Sequence, residues 1–145
     1  MAEALMKTSS WRRLQIAVAV AGLVPVTAGG SGVLFGTAMT DAGFVSISLD
    51  SHYRYLSGLL LAIGLIFWAQ VPRIAKSGPT FRLLTLVVVI GGLGRLAALA
   101  VIGVPSFPML GGLIMELIVT PGLCLWQTWL ARMESSEQRN GAGVP

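Results

Sequence analysis

Three charged side chains lie inside stretches of this sequence that are otherwise apolar: Arg54, Arg95 and Glu116. A single charge at the centre of a bilayer costs roughly 2.5–3.5 kcal/mol on insertion scales. Charges kept at such a depth usually face one another or a polar cavity, and they often mark a path or site for a ligand, an ion or a proton. We therefore expect the three side chains to meet, with opposite charges paired.

More polar residues gather around the start of the stretch that contains Arg54. Two arginines and one glutamate leave an excess positive charge, unless Asp50 balances it. A guanidinium binds a carboxylate or phosphate through its planar fork of N–H donors, so an anionic ligand group would suit this excess. The candidate ligand-binding or structural cluster contains seven residues: Asp50, His52, Tyr53, Arg54, Tyr55, Arg95 and Glu116.

The sequence gives little support for metal or cofactor chemistry. Asp50, His52 and Glu116 are possible metal ligands by type, but a single histidine without ligand spacing leads us to expect no metal. The one cysteine, Cys124, excludes an intrachain disulfide and a cysteine-based zinc site. No nucleotide loop, nucleophile elbow or haem motif is present, so we expect no cofactor, no catalytic residue and no enzymatic activity.

The composition indicates a membrane protein. The 145 residues are 54% hydrophobic and 11% charged, with a mean hydropathy of +0.79, whereas a soluble domain carries about 25% charged residues. The apolar residues form four blocks, each long enough to cross a hydrocarbon core of ~30 Å as a helix. Only a helix satisfies the backbone of such a segment. We predict an all-α, four-helix transmembrane bundle with spans at about 14–35, 51–71, 81–104 and 109–130.

The basic residues predict the orientation of these spans. They lie before the first span, between the second and third spans and after the fourth, whereas the other two connections have none. This distribution predicts cytoplasmic N and C termini, and it explains the net charge of +4 without a nucleic-acid partner. We assign residues 1–13 to a cytoplasmic N-terminus, 14–131 to the membrane domain and 132–145 to a disordered cytoplasmic tail.

Two local alternatives stay open. The basic start, the apolar run and the small residues near Gly29 fit a signal peptide loosely, although the run is longer than a typical signal core. Residues 44–49 alternate apolar and polar side chains, which suits either a short strand over the bundle mouth or a loop resting on the interface.

Depth arguments predict the central contact. Arg95 lies nine residues before Val104, and Glu116 lies eight residues after Pro108, so both lie ~12–13 Å below the outer ends of their helices. The short connection makes these helices antiparallel neighbours, which predicts a buried Arg95–Glu116 ion pair. Pro121 predicts a kink close to this pair.

Small residues predict where helices touch. We expect contact ridges at Gly58 and Ala62 and at Gly32 and Gly36, and a close helix approach at Gly91, Gly92 and Gly94. A homodimer that buries the glycine faces fits this pattern. The four tryptophans, Trp11, Trp68, Trp126 and Trp129, suit an aromatic belt at the cytoplasmic interface.

The segments around the three charges resemble those of one family. Residues 52–58 (HYRYLSG), residues 91–96 (GGLGRL) and Glu116-Leu117 are similar to the second-, third- and fourth-span motifs of the bacterial domain-of-unknown-function 4345 family. The similarity covers roughly residues 14–131. It implies a four-span inner-membrane protein in which Arg54, Arg95 and Glu116 are family residues, and it implies no activity.

Three functions are consistent with these features. The first is a multi-pass inner-membrane protein of unknown activity, embedded among membrane lipids, whose polar cluster binds an anionic amphipathic or lipid-like ligand or a partner helix. The second is a small proton-coupled transporter that uses Glu116. The third is a purely structural or accessory subunit, because Arg–Glu pairs in membranes often fix helix register alone.

Overall fold

The computed structural model describes residues 2–40 and 46–141, and the side chains of residues 9–40 and 46–136. The described residues form helices and their connections, without a strand. Short 3₁₀ segments follow the first two helices, at Gly36–Met39 and Val71–Arg73, and a π-helical segment occupies Met115–Val119. The helices are α1 (Ala2–Phe35), α2 (Ile47–Gln70), α3 (Gly78–Ile102), α4 (Phe107–Ile114) and α5 (Thr120–Gly141).

Among the described residues, four helical stretches are long and apolar enough to span a membrane. They cover Ser9–Met39, Ile47–Arg73, Gly78–Ile102 and Phe107–Ser136. In the last stretch, α4, the π-helical segment and α5 follow one another without a break, and we call them together the fourth helix. The predicted all-α bundle of four membrane-spanning helices is therefore confirmed, and the chain is a multi-pass membrane protein.

The helices extend beyond the predicted spans. Helix α1 begins at Ala2, inside the predicted polar N-terminus. The fourth helix continues to Gly141, so residues 132–141 of the predicted disordered tail are helical. Helix α2 begins at Ile47, because the Oγ of Ser46 accepts the N–H of Leu49 at 3.1 Å and caps the first turn. Ile47–Leu49 is thus neither strand nor loop, whereas Phe44 and Val45 lie outside the described residues.

Helices α1 and α2 form a hairpin whose backbones touch directly. Glycines recur every seven residues along α1, at Gly22, Gly29 and Gly36, and each is buried. A Cβ on Gly29 would lie 2.5 Å from the backbone nitrogen of Leu61. The residues of α2 that face α1 alternate in steps of three and four, the spacing of a coiled-coil seam. They are Asp50, Arg54, Ser57, Leu61, Gly64, Trp68 and Val71.

One predicted contact ridge is confirmed and another is wrong. Gly32 and Gly36 both face α2, where added side chains would overlap Ser57 and Asp50. Ala62 is exposed, and a Cβ on Gly58 would meet only the side chain of Val33, at 3.8 Å. The seam of α2 runs through the neighbouring positions, because the register is set by the glycines of α1.

Two tryptophans link helices, a role that the aromatic-belt interpretation does not include. The indole N–H of Trp68 donates to the Ala19 carbonyl at 2.9 Å, and the ring lies over Gly22. The indole N–H of Trp11 donates to Glu134 at 2.7 Å and connects the first and fourth helices. Trp126 packs against the apolar core, and Trp129 is exposed.

The apolar core that joins all four helices lies at one end of the bundle, which we call the basic end because Arg73, Arg82 and Arg132 are also there. The buried core residues are Leu14, Val18, Phe67, Ile74, Phe81, Leu84 and Leu130. Arg95 and Glu116 belong to the opposite half of α3 and the fourth helix. The core therefore does not cover these charges.

Candidate functional site

Arg95 and Glu116 form an ion pair across α3 and the fourth helix. The Nε of Arg95 lies 3.1 Å from Oε1 of Glu116. Gly92 permits this approach, because a Cβ there would lie 2.9 Å from the Cβ of Glu116 and 2.7 Å from Cδ2 of Leu117. The pairing expected from the short connection between these helices is therefore present.

Glu116 lies in a widened, π-helical turn. Pro121 has no N–H, and its ring would collide with the carbonyl four residues earlier in a regular α-helix. The backbone N–H of Thr120 bonds to the Met115 carbonyl, and the Thr120 hydroxyl donates to the same oxygen at 2.8 Å. The helix thus accommodates Pro121 through a widened turn, a feature that is frequent at functional sites.

The predicted burial of this ion pair is not confirmed. The side chain of Arg95 is 39% exposed and that of Glu116 is 14% exposed, and no charged side chain among the described residues is buried. The Nη1 of Arg95 reaches only the Met109 sulfur, at 2.9 Å. The Oε2 of Glu116 is shielded but has no hydrogen-bond partner within the described part of the chain. A guanidinium has five N–H donors, so the contacts with Glu116 and Met109 satisfy only part of the hydrogen-bonding capacity of Arg95.

A strip of exposed, mostly small residues flanks the open side of Arg95. Gly91 is four residues before Arg95 and Ala98 is three residues after it, so both are its direct neighbours on the helix surface. Gly94 and Val87 continue the same face at helical spacing. A Cβ on Gly91 or Gly94 would meet no atom within 4 Å. We call this surface the open strip; its members are Val87, Gly91, Gly94 and Ala98, all exposed.

Arg54 belongs to a different cluster, and the prediction that the three charges meet is wrong. The Nε of Arg54 pairs with Oδ2 of Asp50 at 2.7 Å. Its Nη1 donates to the carbonyls of Val33 at 2.7 Å and Leu34 at 3.0 Å. Among the described residues, no hydrogen bond or ion pair joins this cluster to Arg95 or Glu116. Arg54 instead caps the end of α1, where free carbonyls attract a cation.

Asp50 completes this helix-end cluster. Its Oδ1 accepts the backbone N–H and the hydroxyl of Thr37, each at 2.8 Å. Gly36, the residue before Thr37, packs against the side chains of Asp50 and Arg54. Its φ is +60°, a left-handed conformation that glycine adopts without strain. Each arginine therefore has its own acid. The excess positive charge that favoured an anionic ligand is absent.

The remaining predicted site residues lie apart from the Arg95–Glu116 pair. His52 and Tyr55 are exposed, and their rings stack with centroids 6.5 Å apart. Tyr53 is half-buried, with Cε1 3.4 Å from the position of a Cβ on Gly32. Within the described range, no group of three or more His, Cys, Asp or Glu residues is placed to hold a metal ion.

Sequence reasoning missed several buried polar residues, of which Gln127 is the most completely buried. Gln127 is 1% exposed, and its Nε2 donates to the Ile74 carbonyl at 3.1 Å. This bond ties the fourth helix to the connection between α2 and α3. Its position as a lone amide within an apolar block could have predicted this contact, because such a group in a membrane needs a hydrogen-bond partner.

Comparison with known proteins gives one match. The family model described as Domain of unknown function (DUF4345) matches residues 13–127, a range that contains both ion pairs, the open strip and the widened turn. No curated protein and no solved structure matches the chain. The match covers most of the chain, including the segments whose residues resemble this family. The chain therefore belongs to the DUF4345 family.

Proposed function

We propose that this multi-pass membrane protein is not an enzyme and that it binds a partner transmembrane helix at the Arg95–Glu116 pair and the open strip. The observation that carries this proposal is that the half-exposed Arg95 guanidinium contacts only Oε1 of Glu116 and the Met109 sulfur among the described residues. An arginine exposed to hydrocarbon is costly, whereas a polar group on a neighbouring helix can accept its free N–H donors. The pair is therefore suited to completion by another protein segment.

The open strip favours a helix over a small anionic ligand. Glycine and alanine at helical spacing let a second helix approach closely enough for its backbone to contact α3. The two ion pairs are individually balanced, so an anionic ligand would add an unmatched charge. The partner is a second copy of this chain or a different membrane protein, and the surrounding lipids cover the remaining apolar surface.

We further propose that the protein resides in a bacterial inner membrane with both termini in the cytoplasm. The support is the distribution of basic residues, which concentrate at one end of the bundle. In this orientation the Arg95–Glu116 pair lies in the outer half of the membrane.

Site-specific photo-crosslinking in the native membrane tests the partner helix. Benzoylphenylalanine replaces Val87, on the open strip, or Leu86, the adjacent residue about 100° around α3 and outside the strip. Both native side chains are exposed, so neither substitution fills a packed position. We expect irradiation to produce a discrete protein adduct from position 87 and none from position 86. An adduct of twice the 15.2 kDa chain mass identifies a second copy.

The role of the ion pair is tested in the same assay. Arg95→Ala in the position-87 variant removes the donors that hold the partner, and we expect the adduct to fall at least about fivefold, from roughly 1 kcal/mol per interhelical polar contact. Equal labelling from positions 86 and 87, or an adduct that is insensitive to Arg95→Ala, would contradict the proposal.

A proton-coupled transporter is a second candidate, favoured by one observation. Glu116 lies in a widened turn, and only one of its carboxylate oxygens is engaged. A carrier of this type takes up and releases a proton at such a group. Proton-driven substrate uptake in proteoliposomes that is abolished by Glu116→Gln would favour this candidate. A purely structural role would leave both assays negative, with Arg95→Ala affecting stability alone.

A further inference from the structure

An apolar groove runs along the surface between α1 and the end of α2, in the half of the molecule opposite to Glu116. Its volume is about 370 Å³. The indole of Trp68 forms part of its wall and is fixed by the hydrogen bond to the Ala19 carbonyl. The groove therefore has a defined shape. Its lining residues are Ala19, Val20, Leu23, Trp68, Val71 and Pro72.

Three arginines follow the groove lining along the chain toward the basic end: Arg12, Arg13 and Arg73. Arg12 and Arg13 lie seven residues before Ala19 and Val20, so they occupy the same face of α1, about 10 Å nearer its start. Arg73 follows Pro72 directly. A hydrogen bond of 3.0 Å from the Gln15 side chain to the Val71 carbonyl holds this part of α1 beside the end of α2.

Within the described part of the chain, no acid neutralises the charge of these three arginines. Each is exposed, and none forms an ion pair with another described residue. Six basic side chains of the described part lie at this basic end, against one acid, Glu134, whose Oε1 accepts the Trp11 indole N–H. At the other end of the bundle, each arginine has its own carboxylate. The six basic residues are Arg12, Arg13, Arg73, Lys76, Arg82 and Arg132.

We propose that this groove binds one anionic phospholipid, with its phosphate between Arg12, Arg13 and Arg73 and an acyl chain against Trp68. Basic clusters at a membrane surface attract anionic lipids, and guanidinium groups bind phosphate oxygens in a fixed geometry. The separation of about 10 Å along α1 between Arg12 and Arg13 and the lining residues Ala19 and Val20 matches a headgroup followed by the upper part of a chain. The site is independent of the Arg95–Glu116 pair.

Fluorescence quenching of Trp68 tests the position of the lipid. The other tryptophans are replaced by phenylalanine (W11F, W126F and W129F), and the helical content of the variant is verified by circular dichroism. The protein is then placed in nanodiscs that contain equal fractions of phosphatidylglycerol and phosphatidylcholine, with bromine on the acyl chains of one lipid at a time. We expect stronger quenching from brominated phosphatidylglycerol. Equal quenching by both lipids would overturn the proposal, and so would a Trp68 that neither lipid quenches, because a protein segment would then fill the groove.

Native mass spectrometry of the protein with its tryptophans intact tests the role of the arginines. Phosphatidylglycerol is added to the wild type, to the triple variant R12Q/R13Q/R73Q and to the control K76Q/R82Q/R132Q, which loses the same charge at the same end. We expect one bound phosphatidylglycerol on the wild type and the control. The affinity of the first triple variant should fall by about fivefold per arginine. Equal losses in both triple variants, or no preference of the wild type for phosphatidylglycerol over phosphatidylcholine, would overturn the proposal.

Discussion

At the scale of single residues, the two arginines in the half of the bundle opposite to the basic end have different roles. Arg54 donates hydrogen bonds to the Asp50 carboxylate and to two carbonyls at the end of α1. Arg95 is about as exposed as Arg54, but it contacts only one carboxylate and the Met109 sulfur. Arg54 therefore stabilises the hairpin, whereas Arg95 has donors left for another molecule.

The sequence predicted the partner of Arg95 but not that of Arg54. A connection of a few residues fixes α3 and the fourth helix as neighbours, so equal depth was enough to pair Arg95 with Glu116. The partners of Arg54 include carbonyls that become free only because α1 ends near Phe35. Neither composition nor periodicity indicates the residue at which that helix ends.

Removing the Arg54 side chain should destabilise the fold. Arg54→Ala deletes three hydrogen bonds and leaves Asp50 without its cation. Charge-assisted bonds contribute roughly 1.5–3 kcal/mol, and partial exposure lowers this value, so we expect a loss of about 2–3 kcal/mol in the free energy of unfolding. Titration with sodium dodecyl sulfate in mixed micelles measures this loss. The control is Arg132→Ala, an exposed arginine at the basic end, and equal effects of the two variants would contradict the capping role.

At the scale of secondary-structure elements, the α1–α2 hairpin depends on backbone contact at glycines. The sequence predicted the contact at Gly36, but not the heptad that it forms with Gly22 and Gly29, nor the matching positions of α2. Ser57, Leu61 and Trp68 differ in size and polarity, so only the structure shows that they form one seam. The widened turn before Pro121 was similarly hidden, because a proline predicts a disturbance of the helix without specifying its form.

Two adjacent glycines provide a matched test of this seam. A Cβ on Gly29 would overlap the backbone of Leu61, whereas a Cβ on Gly30 would meet nothing within 4 Å. We expect Gly29→Ala to lower the free energy of unfolding by about 1–3 kcal/mol through overpacking. Gly30→Ala should be neutral or stabilising by up to ~1 kcal/mol, because alanine favours the helix. Similar effects in the same detergent titration would show that the backbones do not meet at Gly29.

At the scale of the whole molecule, the core and most basic residues lie at one end, and the Arg95–Glu116 pair lies toward the other. Hydropathy was sufficient to predict the four helices and their class. The sequence did not show that the core leaves Arg95 exposed, because burial depends on how the α1–α2 hairpin packs against α3 and the fourth helix.

Cysteine accessibility tests the predicted orientation. In a Cys124→Ser background, a cysteine at Ser106 reports on the connection between α3 and the fourth helix, and one at Lys76 reports on the connection between α2 and α3. We expect a membrane-impermeant maleimide to label position 106 in intact cells and position 76 only after permeabilisation. The reverse pattern would place the termini outside and contradict the orientation deduced from the basic residues.

Native mass spectrometry with a steric block tests the central claim, that the Arg95–Glu116 pair and the open strip bind a partner helix. Ala98→Trp fills the open strip beside Arg95, and Ala97→Trp places the same side chain on another face of α3. Both variants leave the ion pair unchanged. We predict that the wild type and Ala97→Trp retain a bound protein partner in mild detergent and that Ala98→Trp loses it while staying folded. A partner that remains on Ala98→Trp, or a wild type extracted without any protein partner, would contradict the account.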